Sequence, residues 1–169
     1  MLLAFEGFCC IILIVMKKEK REKTMIALGC DHGGYDLMQS VKKHLEERGI
    51  AYKDFGTYSK DSCDYPDFGR LAAESVAEGT CEKGIVICTT GIGISIVANK
   101  VKGVRCALCS ETTTARLTRE HNDANVLALG GGMTGELLAN EIVDVFLDTP
   151  FSNLEKHSRR IAKIKMVED

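Results

Sequence analysis

Cys88-Thr89-Thr90-Gly91-Ile92-Gly93 is the segment of this chain best suited to chemistry: a thiol at the end of an apolar run, then two hydroxyls and two glycines. If the run is a strand and Ile92 opens a helix, unpaired N–H groups and the positive end of the helix surround the sulfur and can hold an anion. Taken alone, a strand-end cysteine reads as core packing. Its neighbours also exclude several chemistries. A dinucleotide fingerprint needs a third glycine where Ile96 stands, and no GxxxxGK[ST] loop is present. A CxxxxxR phosphatase loop needs arginine where Ile94 stands, and a redox pair needs a second thiol where Gly91 stands.

Two further polar groups stand out. Asp31-His32-Gly33-Gly34 follows the first apolar run, where the pair reads either as a helix cap or as part of a site. His121, in Arg119-Glu120-His121-Asn122-Asp123, carries an imidazole able to exchange protons near neutral pH, and alone reads as a surface residue. A thiol, two histidines, a carboxylate and backbone donors at one sheet edge would make an acid–base site. The sequence reading places all of them at that edge.

The elements that must position these groups alternate regularly. Strands are expected at Ile26–Cys30, Ala51–Phe55, Gly84–Cys88, Val104–Leu108 and Val126–Leu129. Helices are expected at Tyr35–Arg48, Phe68–Glu78, Ile92–Asn99, Glu111–Glu120, Thr134–Phe146 and about Leu154–Val167. Gly49 and Gly79 read as helix stops and Ser110 as an N-cap. The pattern predicts a single three-layer α/β/α domain with a parallel Rossmann-like sheet, its ligands beyond the carboxyl ends of the strands.

The chain has 169 residues, net charge -2, 45% apolar residues, 16 glycines and two prolines, which suits one domain and argues against nucleic acid as a partner. Its eight cysteines lie within apolar runs or alone, the pattern of reduced thiols in a cytoplasmic protein. Cys106 and Cys109 have CxxC spacing, but no second pair completes a metal site, so they read as core. The apolar stretch Met1–Met16 precedes the basic run Lys17–Lys23, the reverse of a secretory signal, and is short for a membrane span. Residues 1–24 are therefore expected to be an extension outside the fold, with a membrane anchor as the alternative, and the domain to occupy 25–169.

Six segments together resemble ribose-5-phosphate isomerase B and its relatives, the galactose-6-phosphate and allose-6-phosphate isomerases. They are Gly29–Gly34, Asp64–Asp67, Ile87–Ser95, Ala98–Lys100, Cys109–Glu111 and Glu120–Ala128. The resemblance runs in order from Met25 to about Ile164. It implies a five-stranded sheet of order 2-1-3-5-4 and a metal-free, cofactor-free proton transfer between C1 and C2 of an open-chain sugar phosphate. It further implies that Cys88 is the base, that Thr90 assists at the hydroxyls, and that the amides of Gly91, Ile92, Gly93 and on to Ser95 receive the enediolate oxygen. By the same resemblance His121 opens the furanose ring, Asp31, Tyr65 and Asn122 orient hydroxyls, and His32, Lys156 and Arg160 hold the phosphate. Family members are dimers with shared sites, so the C-terminal helix carrying Lys156, His157 and Arg160 is expected to serve the partner's pocket.

Three departures from the family pattern bear on the substrate. Thr89 replaces a glycine and is expected to narrow the pocket floor, Gly132 stands where many members carry arginine, and Lys156 replaces a phosphate-binding arginine. Arg105 and Arg119 are the alternative cations, Arg119 being equally readable as a solvated helix residue. Ribose 5-phosphate is the expected substrate. The alternatives are an allose or galactose 6-phosphate, or sugar-phosphate binding without catalysis.

Overall fold

A computed structural model describes residues 25–168, so the readings of the first 24 residues lie outside it. Five strands, β1 (Met25–Cys30), β2 (Ala51–Asp54), β3 (Lys83–Cys88), β4 (Cys106–Leu108) and β5 (Val126–Gly130), form one parallel sheet of order β2-β1-β3-β5-β4. Six helices accompany them: α1 (Tyr35–Glu47), α2 (Tyr65–Ala77), α3 (Ile92–Ala98), α4 (Thr112–Asn122), α5 (Glu136–Asp148) and α6 (Glu155–Lys165). A 3-10 turn at His32–Gly34 leads into α1.

Successive strand residues point to opposite faces of a sheet, and here they feed two apolar layers. Ile26 and Leu28 of β1, Ile85 and Ile87 of β3, and Leu127 and Leu129 of β5 pack with α1, α4 and α5 through Leu37, Val41, Ala115, Ile142 and Phe146. Ala27, Val86, Cys88 and Ala128 face the other way, onto Ala72 and Val76 of α2 and Ile94 and Ala98 of α3. Each fully buried Leu, Ile or Phe contributes about 1.5–3 kcal/mol. Burial on both faces explains why the central strands are continuous apolar runs. Cys109 and Cys106 belong to opposite layers, each as a packing residue.

Differences from the expected elements have local causes. Helix α2 begins at Tyr65 rather than Phe68 because Pro66 fits a first helical turn, where its missing N–H costs nothing. Glu111, not Ser110, caps α4: its carboxylate accepts from the amides of Thr113 (2.7 Å) and Thr114 (2.6 Å). Strand β4 is shortened to three residues because side-chain amides replace the ladder at its start. Asn125 Oδ1 accepts from the Arg105 amide (2.7 Å), and Asn99 Oδ1 from that of Cys106 (2.9 Å). Gly49 and Gly79 do end α1 and α2, at φ 67° and 76°.

Arginines 105 and 119 are both engaged by main-chain carbonyls and by Asp123, whereas the sequence readings left them as solvated residues or phosphate cations. Arg119 is buried (7% exposed), with Nη1 on the Asp123 carboxylate (2.9 Å) and the Ala124 carbonyl, and Nε on the Thr149 carbonyl (3.3 Å). Arg105 donates to the carbonyls of Asn122 (2.9 Å) and Asp123 (2.7 Å) and to the Asp123 carboxylate (3.0 Å). Together they clamp the C-terminal end of α4, where Asp123 takes a left-handed φ of 47°. Arg119→Ala leaves the buried Ala124 carbonyl without its guanidinium partner, and is expected to cost about 1–3 kcal/mol in urea unfolding.

Candidate active site

The winding of the chain reverses between β1 and β3, and the loops after those strands enclose the crevice where ligands bind in such sheets. Cys88 ends β3, buried at 5% exposure. Gly91 then turns the chain into α3 at φ 76°, a region that disfavours a side chain. A Cβ there would also lie 2.8 Å from the Leu129 carbonyl carbon. The turn brings the Gly91 amide onto Cys88 Sγ (3.2 Å).

The other amides of the turn are not equivalent. That of Ile92 donates to Thr90 Oγ1 (3.3 Å), and that of Ser95 donates to the Gly91 carbonyl (3.2 Å). The Ser95 hydroxyl donates to the Ile92 carbonyl (2.8 Å). Ser95 is therefore committed to its helix, which corrects its assignment as an oxyanion donor. Among the described residues the amides of Gly93 and Ile94 have no partner, and they are the pair free to receive an oxyanion. Tyr65, first residue of α2, lies over this turn: a Cβ on Gly93 would stand 2.6 Å from its Cζ.

From β1 come Asp31 and His32. Asp31 is buried (5% exposed), and its Oδ1 caps the 3-10 turn through the Gly34 amide (3.0 Å). Its own amide donates to the Ile87 carbonyl (3.2 Å), which sets it beside the end of β3. The Cys63 amide donates to His32 Nδ1 (3.2 Å), so that nitrogen carries no proton and Nε2–H is the outward donor. Sequence reasoning missed Cys63, because a backbone amide leaves no residue-type signal. Thr89 is wedged between loops: its Oγ1 fills the space that a Cβ on Gly33 would need, and its Cγ2 is 3.3 Å from the Cβ position of Gly132.

His121 and Asn122 are not at this edge. They form the last turn of α4, which runs back along the sheet, and Asp123–Asn125 lead from them directly into the start of β5. The Gly84 amide, at the start of β3, donates to the Asn125 carbonyl (2.9 Å). The expected convergence on Cys88 within one chain therefore fails by a strand's length, about 13 Å. Lys156 and Arg160 go with His121: the segment leading into α6 docks there through Ser152, whose amide donates to the Glu120 carbonyl (3.2 Å), and α6 itself through His157, whose ring centroid lies 4.4 Å from that of His121. Both are exposed and carry no ion pair among the described residues. Burial pushes the thiols of Cys30 and Cys106 up to about 12, so these remain protonated at neutral pH. No cluster of three or more His, Cys, Asp or Glu among the described residues has metal-binding geometry, and no helix among them is long and apolar enough to cross a membrane.

A family profile described as Ribose/Galactose Isomerase matches residues 26–164. Ribose-5-phosphate isomerase B of Escherichia coli is 45% identical over 143 residues, 85% of this chain and 95% of that one. Ribose-5-phosphate isomerase B of Clostridium thermocellum superposes with a TM-score of 0.84 at 50% identity, covering 85% and 97% of the two chains. The Mycoplasma genitalium enzyme of the same name, solved with bound ribulose-5-phosphate, gives 0.81 at 39% identity, with 85% and 95% covered. The chain thus belongs to the Ribose/Galactose Isomerase family, and it is an isomerase.

A methyl group on Gly93 must displace the Tyr65 ring and crowd the free amides. Gly93→Ala is expected to lower isomerase turnover about 10- to 100-fold with little change in melting temperature, as steady-state kinetics and a thermal scan will read.

Proposed function

We propose that this chain interconverts ribose 5-phosphate and ribulose 5-phosphate, with Cys88 as the base. The observation that carries the reading is the pairing of a strand-end sulfur with two unpaired amides, those of Gly93 and Ile94, on the turn that follows it. The Cys88 thiolate takes the proton from C2 of the open-chain aldose, and the electrons flow to O1, which the two amides receive. Thr90 relays the hydroxyl proton from O2 to O1, and the thiol returns its proton to C1. C2 then carries the carbonyl, and no atom is gained or lost. A thiol gives up little driving force to such a carbon acid. The similarity to ribose-5-phosphate isomerases B of Escherichia coli and Clostridium thermocellum supports this substrate.

The site is completed by a second copy. The histidine at the Cys88 edge is His32, whose Nδ1 accepts from the Cys63 amide, whereas His121, Asn122, Lys156 and Arg160 belong to the opposite edge. A surface on the Cys88 side fits a partner of the same kind: Ile92, Ile96, Leu108 and Met133 are 54%, 55%, 43% and 69% exposed. In a two-fold dimer each crevice receives the other chain's His121 for ring opening, its Asn122 for a sugar hydroxyl, and its Lys156 and Arg160 for phosphate beside the resident His32.

Cys88→Ala is expected to lose about a thousandfold in turnover of ribose 5-phosphate, and retention of full activity would sink the mechanism. Co-refolding Cys88→Ala with His121→Ala chains tests the sharing. Half the dimers are then mixed and hold one intact site each, so roughly a quarter of wild-type activity should return. No recovery above either parent would refute the shared site. Ile96→Asp is expected to shift the protein toward monomer in sedimentation and to lose activity in parallel.

A further inference from the structure

His157 is a buried imidazole to which the proposed mechanism gives no task. It is 3% exposed, and its ring lies 4.4 Å from that of His121 with the planes 45° apart. Ser152 Oγ is 2.7 Å from its Nδ1, while the Ser152 amide donates to the Glu120 carbonyl, one residue before His121. The ring, the serine that holds it and the helical turn bearing His121 therefore form one closed unit. A half-exposed histidine at a helix end would ordinarily sample several rotamers. Here one side of the His121 ring is occupied by a fixed neighbour, which removes the rotamers that swing toward α6.

Besides His121 on α4, the groups facing His157 are the Glu120 carbonyl and the Lys156 and Arg160 cations of its own helix. Burial foremost, then His121 and these cations, hold the His157 imidazole below its ordinary range.

We propose that His157 is the positioning residue of His121: fixed by Ser152, it sets the direction in which His121 meets the sugar ring in the partner's crevice. The inference rests on the ring-opening role proposed for His121. In that step the anomeric hydroxyl loses its proton, the ring oxygen gains one, the C1–O4 bond breaks and the C1 carbonyl forms.

Ribulose 5-phosphate separates this step from the chemistry at Cys88, because phosphate on O5 leaves it no five-membered ring to open. Full-length wild type, His157→Ala and His157→Phe are assayed for conversion of ribose 5-phosphate and, in heavy water, for deuterium entry at C1 of ribulose 5-phosphate. His157→Ala should convert ribose 5-phosphate at least tenfold more slowly while deuterium entry stays within twofold. His157→Phe, which keeps a ring against His121, should recover most of the conversion. Equal loss of both signals in the two variants indicates a structural role only and overturns the assignment, as does unchanged conversion in His157→Ala. A wild type that converts no ribose 5-phosphate overturns the proposed function itself.

Discussion

A helix that joins neighbouring parallel strands must run back along the sheet, and that constraint governs this molecule. The carboxyl ends of β1 and β3 gather Asp31, His32 and Cys88 at one edge, while the C-terminal turn of α4 carries His121 and Asn122 to the other. No adjustment of side chains spans a strand's length. An isomerase that needs a thiol from the first group and an imidazole from the second must obtain one of them from another copy of itself. The proposed dimer is in this sense a consequence of connectivity.

The rigidity of the Cys88 edge comes from backbone rather than side chains. The loops after β1, β3 and β5 touch through glycine: a Cβ on Gly131 would be 2.6 Å from the Gly33 carbonyl oxygen, and one on Gly130 2.9 Å from that of Thr90. The Gly131 amide donates to the Cys88 carbonyl (2.8 Å) and the Gly132 amide to that of Thr89 (2.9 Å). Loops packed this closely hold the Gly93 and Ile94 amides in place before any charge develops, which is when such donors are most effective. The other edge is held differently, by two guanidiniums on the carbonyls closing α4 and by the Ser152–His157 contact.

The parallel sheet and its two apolar layers were legible in the sequence because burial on both faces leaves continuous apolar runs of strand length. Half of the candidate site was legible for a related reason: Asp31 and His32 follow such a run directly and Cys88 ends one, so the strand that positions them also announces them. His121 was legible as a residue and misplaced as a location, since helical periodicity does not record the direction in which a helix returns. Arg105 and Arg119 were misread because a guanidinium bound to main-chain carbonyls has the same sequence signature as a solvated one. Cys63 holds His32 through an N–H group common to nearly every residue, and only the fold distinguishes it.

The same division bears on phosphate. With Arg105 and Arg119 committed to α4 and glycine at position 132, the cations left for a substrate of the proposed dimer are Lys156 and Arg160, exposed and one helical turn apart on α6. An ammonium supplies charge without a planar fork, so in the proposed site orientation of the phosphate would fall to Arg160 and to His32. The tautomer of His32 is set by the Cys63 amide, in the segment that leads into α2 and Tyr65. The proposed phosphate contact of His32 and the start of α2 at Tyr65 are thus anchored by one stretch of backbone. Changing the length of that stretch would alter both ends of the pocket at once, whereas changing Lys156 alters attraction and leaves the crevice intact.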